Sequence, residues 1–194
     1  MSTQIRFAKP EDTPSLLSIY NPFIEHTNVS FEYKKLTLDE FQARITGIQS
    51  KFPFLVVDVD GVLAGYAYTS SFHPRAAYAW DCDISIYIDS PFQKRGLGEL
   101  LYHALFSLMK EMDYYNIYAL VSSENTGSLH FHETMGFLVE GHHEMAGYKF
   151  GKWIGVTRLV KRIGDFSIPP KPVKSINEID GDKLLLTYME STSN

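Results

Sequence analysis

Apolar positions along the 194-residue chain recur with a period near two in some stretches and near 3.6 in others, and their order predicts an α/β domain. Ile5 to Ala8 predicts a first strand. Thr13-Pro14, a cap followed by proline at the first helical position, introduces the helical run Leu16, Leu17, Ile19 and Tyr20. A second helix follows from the capping-box spacing of Thr37 and Glu40 and from Leu38, Phe41 and Ile45 on one face. Leu55 to Val59 and Val62 to Tyr68 flank Asp60-Gly61, which is a strong hairpin signal. Trp80 to Ile88 supplies the next strand. Leu97, Leu100, Leu101, Ala104, Leu105, Leu108 and Met112 then form the apolar stripe of a crossover helix that covers the sheet. Ile117 to Val121 predicts a buried strand, and Ser128 to Met135 a short helix punctuated by Gly136. Phe137 to Val139 and Ile154 to Lys161 complete the sheet on either side of a glycine-bearing link. Residues 1–164 form one domain in this reading. Residues 165–194, with Ile168-Pro169-Pro170 and Leu184-Leu185-Leu186, are a C-terminal extension that packs back on it.

Composition narrows the classes. A hydrophobic content of 44% suits one soluble core, and a formal net charge of -5 without a basic tract leaves no footprint for nucleic acid. Cys82 is the only cysteine, which excludes an intrachain disulfide and a thiolate metal cluster. No N-terminal apolar leader and no 18-residue apolar span occurs, so a cytoplasmic protein with no membrane partner is expected. His132-Glu133 is not followed by histidine at HExxH spacing, and the adjacent His142-His143 diverge on a strand. No metal is expected.

The candidate chemistry begins at Gln93-Lys94-Arg95-Gly96-Leu97-Gly98, between a strand and a helix. A glycine-rich turn opening a helix offers backbone N–H groups to an anion, with two cationic side chains beside them. The spacing fits neither a dinucleotide turn nor a triphosphate loop, so the anion suggested is a pyrophosphate held mainly by backbone. Gly96 and Gly98 would serve equally in a tight turn with no ligand. Upstream, period-two geometry puts Asp81, Asp83, Ser85 and Tyr87 on one strand face and Cys82, Ile84, Ile86 and Ile88 on the other.

Four segments in order carry a resemblance. They are Ala76-Ala77-Tyr78-Ala79-Trp80, the Gln93 to Gly98 turn, Asn125-Thr126-Gly127-Ser128 with His132-Glu133-Thr134-Met135-Gly136-Phe137, and Gly147-Tyr148-Lys149-Phe150-Gly151-Lys152-Trp153. Together they resemble the Gcn5-related N-acetyltransferases, and more closely the phosphinothricin acetyltransferase-like branch, from about Ile5 to Ile163. The resemblance implies a mixed, mostly antiparallel sheet flanked by helices and acetyl transfer from acetyl-CoA to a primary amine. The acceptor implied is a small amino acid or an analogue such as methionine sulfoximine or phosphinothricin. It also implies a homodimer, with Trp153 and the aromatic region near Phe72 and Tyr78 as buried contacts.

Roles follow residue by residue from that resemblance. Asp83 stands where the branch has a glutamate base and would act as base or water-positioner, its shorter side chain retracting the carboxylate by about one methylene, on the order of 1 Å. His132 takes the place of a relay or acid, and is otherwise a helix histidine satisfied in the core. Ile86, Tyr87, Ile88, Gln93, Lys94, Arg95, Gly96, Leu97 and Gly98 line the cofactor, with Asn125 on the pantetheine amides and Ser128 near the pyrophosphate. Asn125 and Ser128 are equally ordinary helix-capping residues. Phe31, His73, Arg75 and Tyr78 match acceptor-pocket positions, Arg75 as a clamp for a carboxylate or phosphinate and His73 where related enzymes place lysine. Lys149 would line the entrance for an acidic substrate or the cofactor, or stand in solvent. Gly155 replaces the branch's aspartate, which with Asp83 raises an alternative: a catalytically impaired, acetyl-CoA-binding regulatory protein.

Overall fold

A computed structural model describes residues 2–192. Seven strands form one sheet in the order β1-β2-β3-β4-β5-β7-β6. They are β1 (Thr3–Phe7), β2 (Phe54–Val59), β3 (Val62–Ser71), β4 (Asp81–Ile88), β5 (Asn116–Ser122), β6 (Leu138–Lys149) and β7 (Lys152–Arg162). Every ladder is antiparallel except β4 with β5. The expected mixed, mostly antiparallel sheet is therefore present. Five α-helices accompany it: α1 (Thr13–His26), α2 (Leu38–Gln49), α3 (Leu97–Glu111), α4 (Thr126–Thr134) and α5 (Gly181–Thr192).

Each face of the β1–β4 half buries its own set of apolar side chains. Tyr20, Ile24, Phe41 and Ile45 from α1 and α2 meet Phe54, Val56 and Tyr66 on one side. On the other, Leu101, Ala104, Leu105 and Leu108 of α3 meet Leu55, Ala67, Cys82 and Ile84. The period-two split of β4 is thus realised: Cys82 and Ile84 turn into the α3 core, and Tyr87 meets Tyr20 and Phe23 of α1 edge-on. A Leu→Ala change at fully buried Leu101 or Leu105 would cost about 2–5 kcal/mol.

Local signals were realised unevenly. Thr37 and Glu40 form the reciprocal capping box, with Glu40 N–H donating to Thr37 Oγ1 at 3.3 Å and Thr37 N–H to Glu40 Oε2 at 2.8 Å. Asp60 and Gly61 both adopt positive φ between β2 and β3, as a type I′ hairpin turn requires. Thr13, by contrast, is not the α1 cap. Asp12 holds that position, its carboxylate is taken by Arg6, and the Thr13 hydroxyl bonds Gln42 instead.

Two segments depart further from the sequence reading. The link expected between Val139 and Ile154 is mostly strand: β6 continues to Lys149 and turns at Phe150-Gly151, both at positive φ. Its polar, bulged, solvent-facing residues carry no apolar alternation to read. The extension contains α5, whose Leu185 is buried and whose Leu184, Tyr188 and Met189 pack on the α3 core. Trp80, expected inside β4, precedes it and donates its indole N–H to the Lys171 carbonyl at 2.6 Å.

Candidate active site

The parallel ladder between β4 and β5 is short. Asp81, Cys82 and Asp83 pair with Asn116, Ile117 and Tyr118, and no pairing continues beyond Asp83. Past that point the strands splay, leaving facing edges whose N–H and C=O groups can receive an extended ligand as if it were a strand. A cavity of about 60 Å³ occupies the gap, lined by Ser85 and Tyr87 of β4, Leu120 and Ser122 of β5, and Tyr102 and His132. A second cavity of about 530 Å³ runs from Ile86–Ile88 over the Gln93–Gly98 turn to Asn125 and Ser128. Val29, Ile86, Tyr87, Asn125 and Ser128 line both, so the two make one elongated cleft.

The wide end suits an anion. Lys94 and Gly96 hold positive φ, and α3 starts at Leu97, so the first N–H groups of α3 have no intrahelical acceptor. A β-carbon at Gly98 would lie 3.1 Å from the Phe131 ring and 3.4 Å from the Ile86 side chain, which explains glycine there. Gln93 donates to the Ile88 carbonyl at 3.0 Å, tying the turn to the end of β4. Of the expected cofactor residues, Arg95 alone is absent from the lining; its guanidinium lies over Phe92 at 5.3 Å. Asn125 caps α4, accepting from Ser128 N–H at 3.1 Å, while both residues also line the cleft.

Two titratable groups stand at the narrow end: His132 lines it, whereas Asp83, one residue before the lining residue Ile84, lines neither cavity. Asp83 has one carboxylate oxygen buried with no partner among the described residues, and burial pushes its pKa up to about 6. His132, buried at 3% exposure, has both nitrogens engaged: Nδ1–H donates to the Ser128 carbonyl at 2.7 Å, and Nε2 meets the Tyr102 hydroxyl at 2.9 Å. A carbonyl can only accept, so Nδ1 carries the proton and, in the neutral ring, Nε2 accepts from Tyr102. Burial lowers the imidazole pKa and raises that of the phenol, which keeps the pair neutral.

The acceptor candidates gather elsewhere. His73, Arg75 and Tyr78 line a cavity of about 190 Å³ with Asp81 and Tyr114 at the N-terminal end of β4, and none of them lines the cleft. His73 Nδ1 accepts the Arg75 backbone N–H at 3.2 Å, and its ring lies 4.7 Å from Tyr78. Asp81 accepts from the Asn116 side chain at 2.7 Å. Phe31 is separate from all of these and presses on Gly147 of β6.

One expectation changes, and two further positions are located. Lys149 neither lines such an entrance nor stands in solvent: it is 3% exposed and bonded to backbone carbonyls, because it must satisfy the end of α1. Trp153, expected to bury its ring against the fold or a second subunit, is 59% exposed in this chain and meets the Tyr148 ring edge-on. Gly155 sits where a β-carbon would lie 3.2 Å from both Ser123 Oγ and the His143 carbonyl, so the missing carboxylate also has little room. The sequence reading missed Ser122, whose buried hydroxyl has no partner among the described residues and lies on the cleft lining. It also missed Phe23, Val29 and Phe131, contributed by other elements.

Comparison with known proteins identifies a family and a fold. The acetyltransferase (GNAT) domain family matches residues 5–157. A phosphinothricin N-acetyltransferase of Streptomyces viridochromogenes is 32% identical over 91% of this chain and 96% of its own length. An L-methionine sulfoximine/L-methionine sulfone acetyltransferase of Pseudomonas aeruginosa is 30% identical over 81% of this chain and 92% of its own. The crystal structure of a phosphinothricin acetyltransferase of Sinorhizobium meliloti in complex with acetyl-CoA superposes with a TM-score of 0.84 at 25% identity, covering 88% of this chain and 94% of that one.

Proposed function

The chain belongs to the GNAT acetyltransferase family, and from that premise we propose that it transfers acetyl from acetyl-CoA to the primary amine of a small amino acid or an analogue of the methionine sulfoximine or phosphinothricin kind. One observation carries the reading: the elongated cleft has an anion-binding helix start at its wide end and narrows along β4 to Ile84, next to Asp83, whose carboxylate has one buried oxygen without a partner among the described residues and a pKa of about 6. The orphaned Ser122 hydroxyl and the open strand edges are the donors and acceptors that a chain of amides would satisfy.

Bound acetyl-CoA supplies an activated thioester. The residues do the rest. Lys94 and the first amides of α3 hold the pyrophosphate, and the β4 and β5 edges with Asn125 orient the arm. Above pH 6 Asp83 is ionised and takes the proton that the ammonium must lose before it can attack, directly or through one water. His132 is bonded to Ser128 on one side and Tyr102 on the other, so a proton reaching Nε2 passes through the Tyr102 hydroxyl. Arg75, in the separate cavity at the start of β4, would hold the acceptor's acid group by charge-assisted hydrogen bonds.

A homodimer belongs to the same proposal. Leu138, Tyr148, Phe150 and Trp153 are all half or more exposed on the β7-β6 end of the sheet, an apolar surface that a second copy would cover. The function is tested by calorimetry with CoA and by thiol release over free amino acids, methionine sulfoximine, phosphinothricin, polyamines and peptide amines. Saturable CoA binding with release driven by amino-acid-like amines is expected. Tight binding of ATP or NAD in place of CoA would overturn it.

A further inference from the structure

Lys149 closes a contact between segments 119 residues apart in sequence. Its ammonium, 3% exposed as a residue, donates to the carbonyls of Ile24 at 2.7 Å, Thr27 at 2.8 Å and Ser30 at 2.5 Å. An ammonium has three donors and no acceptor, so three convergent carbonyls satisfy it fully. No carboxylate takes part in those bonds. A salt bridge would have needed one; this is a cation held by the exposed end of α1 and the turn after it, where helix carbonyls lack intrahelical partners.

The segment so held is a wall of the cleft. Val29, bracketed by Thr27 and Ser30, lines both the wide cavity and the gap between β4 and β5. The same hairpin grips the segment at further points. The Phe31 ring fills the place of a β-carbon at Gly147, the Tyr33 hydroxyl donates to the Tyr148 carbonyl, and Asn28 and Lys152 share the Glu124 carboxylate. Only Lys149 among these contacts is buried and ionic, and only it fixes the backbone on both sides of Val29.

We propose that Lys149 is a positioning residue for acyl-donor binding: by gathering three carbonyls of residues 24–30 onto one ammonium, it holds Val29 against the cleft between β4 and α4. The inference rests on the reading that acetyl-CoA occupies that cleft. A purely structural lysine would affect melting temperature alone. A positioning lysine affects donor affinity as well.

The test uses Lys149→Met, which keeps the length and removes the donors, beside Val29→Ala, which disturbs only the wall. CoA affinity by calorimetry, backbone hydrogen exchange over residues 27–33 and steady-state kinetics are the readouts. Lys149→Met is expected to weaken CoA binding by roughly tenfold, about 1.4 kcal/mol, to raise exchange in that segment, and to increase KM for acetyl-CoA more than it lowers kcat. Val29→Ala should weaken CoA binding in the same direction without lowering the melting temperature, and it carries the test if Lys149→Met does not fold. Wild-type CoA affinity in folded Lys149→Met, or in Val29→Ala, overturns the proposal. Wild-type protein that fails to bind CoA instead overturns the reading of the cleft.

Discussion

Replacing Asp83 by asparagine should make the protein more stable at neutral pH while nearly abolishing acetyl transfer. Burial moves the Asp83 pKa from 3.8 to about 6, so the folded state binds this proton more tightly than the unfolded chain does. Between about pH 4 and pH 6 the folded carboxyl is still protonated when the unfolded one has ionised. Stability therefore falls as pH rises through that window, and the full cost of the buried charge is present above it. Two pKa units correspond to about 3 kcal/mol. Asp83 is only partly buried, and screening by solvent reduces the expected effect to about 1–2 kcal/mol. Urea denaturation of the wild type and Asp83→Asn should give nearly equal stabilities at pH 4 and a gap of that size favouring the variant at pH 7.5. Over the same range transfer should drop by roughly a hundred- to ten-thousand-fold, and the acidic limb of the wild-type kcat/KM profile near pH 6 should disappear. A stability gap that is the same at both pH values, or transfer within a few-fold of wild type, would refute the assignment of a strained, functional carboxylate.

Arg75→Ala should lower kcat/KM for amino-acid acceptors far more than for a neutral amine of similar size, and equal losses would mark Arg75 as part of the scaffold. Tyr102→Phe removes the donor to His132 Nε2; it should cost about 1–3 kcal/mol of stability and raise the imidazole pKa followed by NMR, because the freed lone pair can take a proton. An unchanged titration midpoint would contradict the tautomer inferred from the Ser128 bond. Light scattering should report twice the 22.1 kDa chain mass, and Trp153→Asp, placing a charge on the exposed apolar end, should shift the protein toward monomer; a wild type that stays at the monomer mass at all concentrations refutes the dimer.

Much of this molecule is written locally in the chain. The capping box at Thr37 and Glu40, the Asp60-Gly61 hairpin and the α3 stripe depend on neighbours within about one helical turn or one tight turn, so residue spacing suffices to find them. The alternation of β4, which sets Asp83 and Cys82 on opposite faces, is equally local. The anion turn at Gln93–Gly98 is legible because its chemistry is backbone chemistry at a strand-to-helix junction. The family resemblance extends from these same short segments.

What remained hidden depends on partners distant in sequence. No spacing distinguishes a solvated Lys149 from one that seals the end of α1, because its three acceptors are main-chain carbonyls that any residues would supply. Asp12 is displaced from capping duty by Arg6, which Asp58 of another strand also holds. The length of β6 beyond Val139 escaped notice because an edge strand with bulges and solvent on most of its side chains needs no apolar period. The divergence of β4 from β5 after Asp83 is a property of the assembled sheet, and it alone makes one cleft of Val29, Ser122, Phe131 and His132. Sequence by itself therefore determined the elements, their faces and the reactive groups they carry, since those follow from local backbone geometry. The tertiary structure decided which of those groups share a cavity and which are spent holding it open, since that depends on contacts between residues a hundred positions apart.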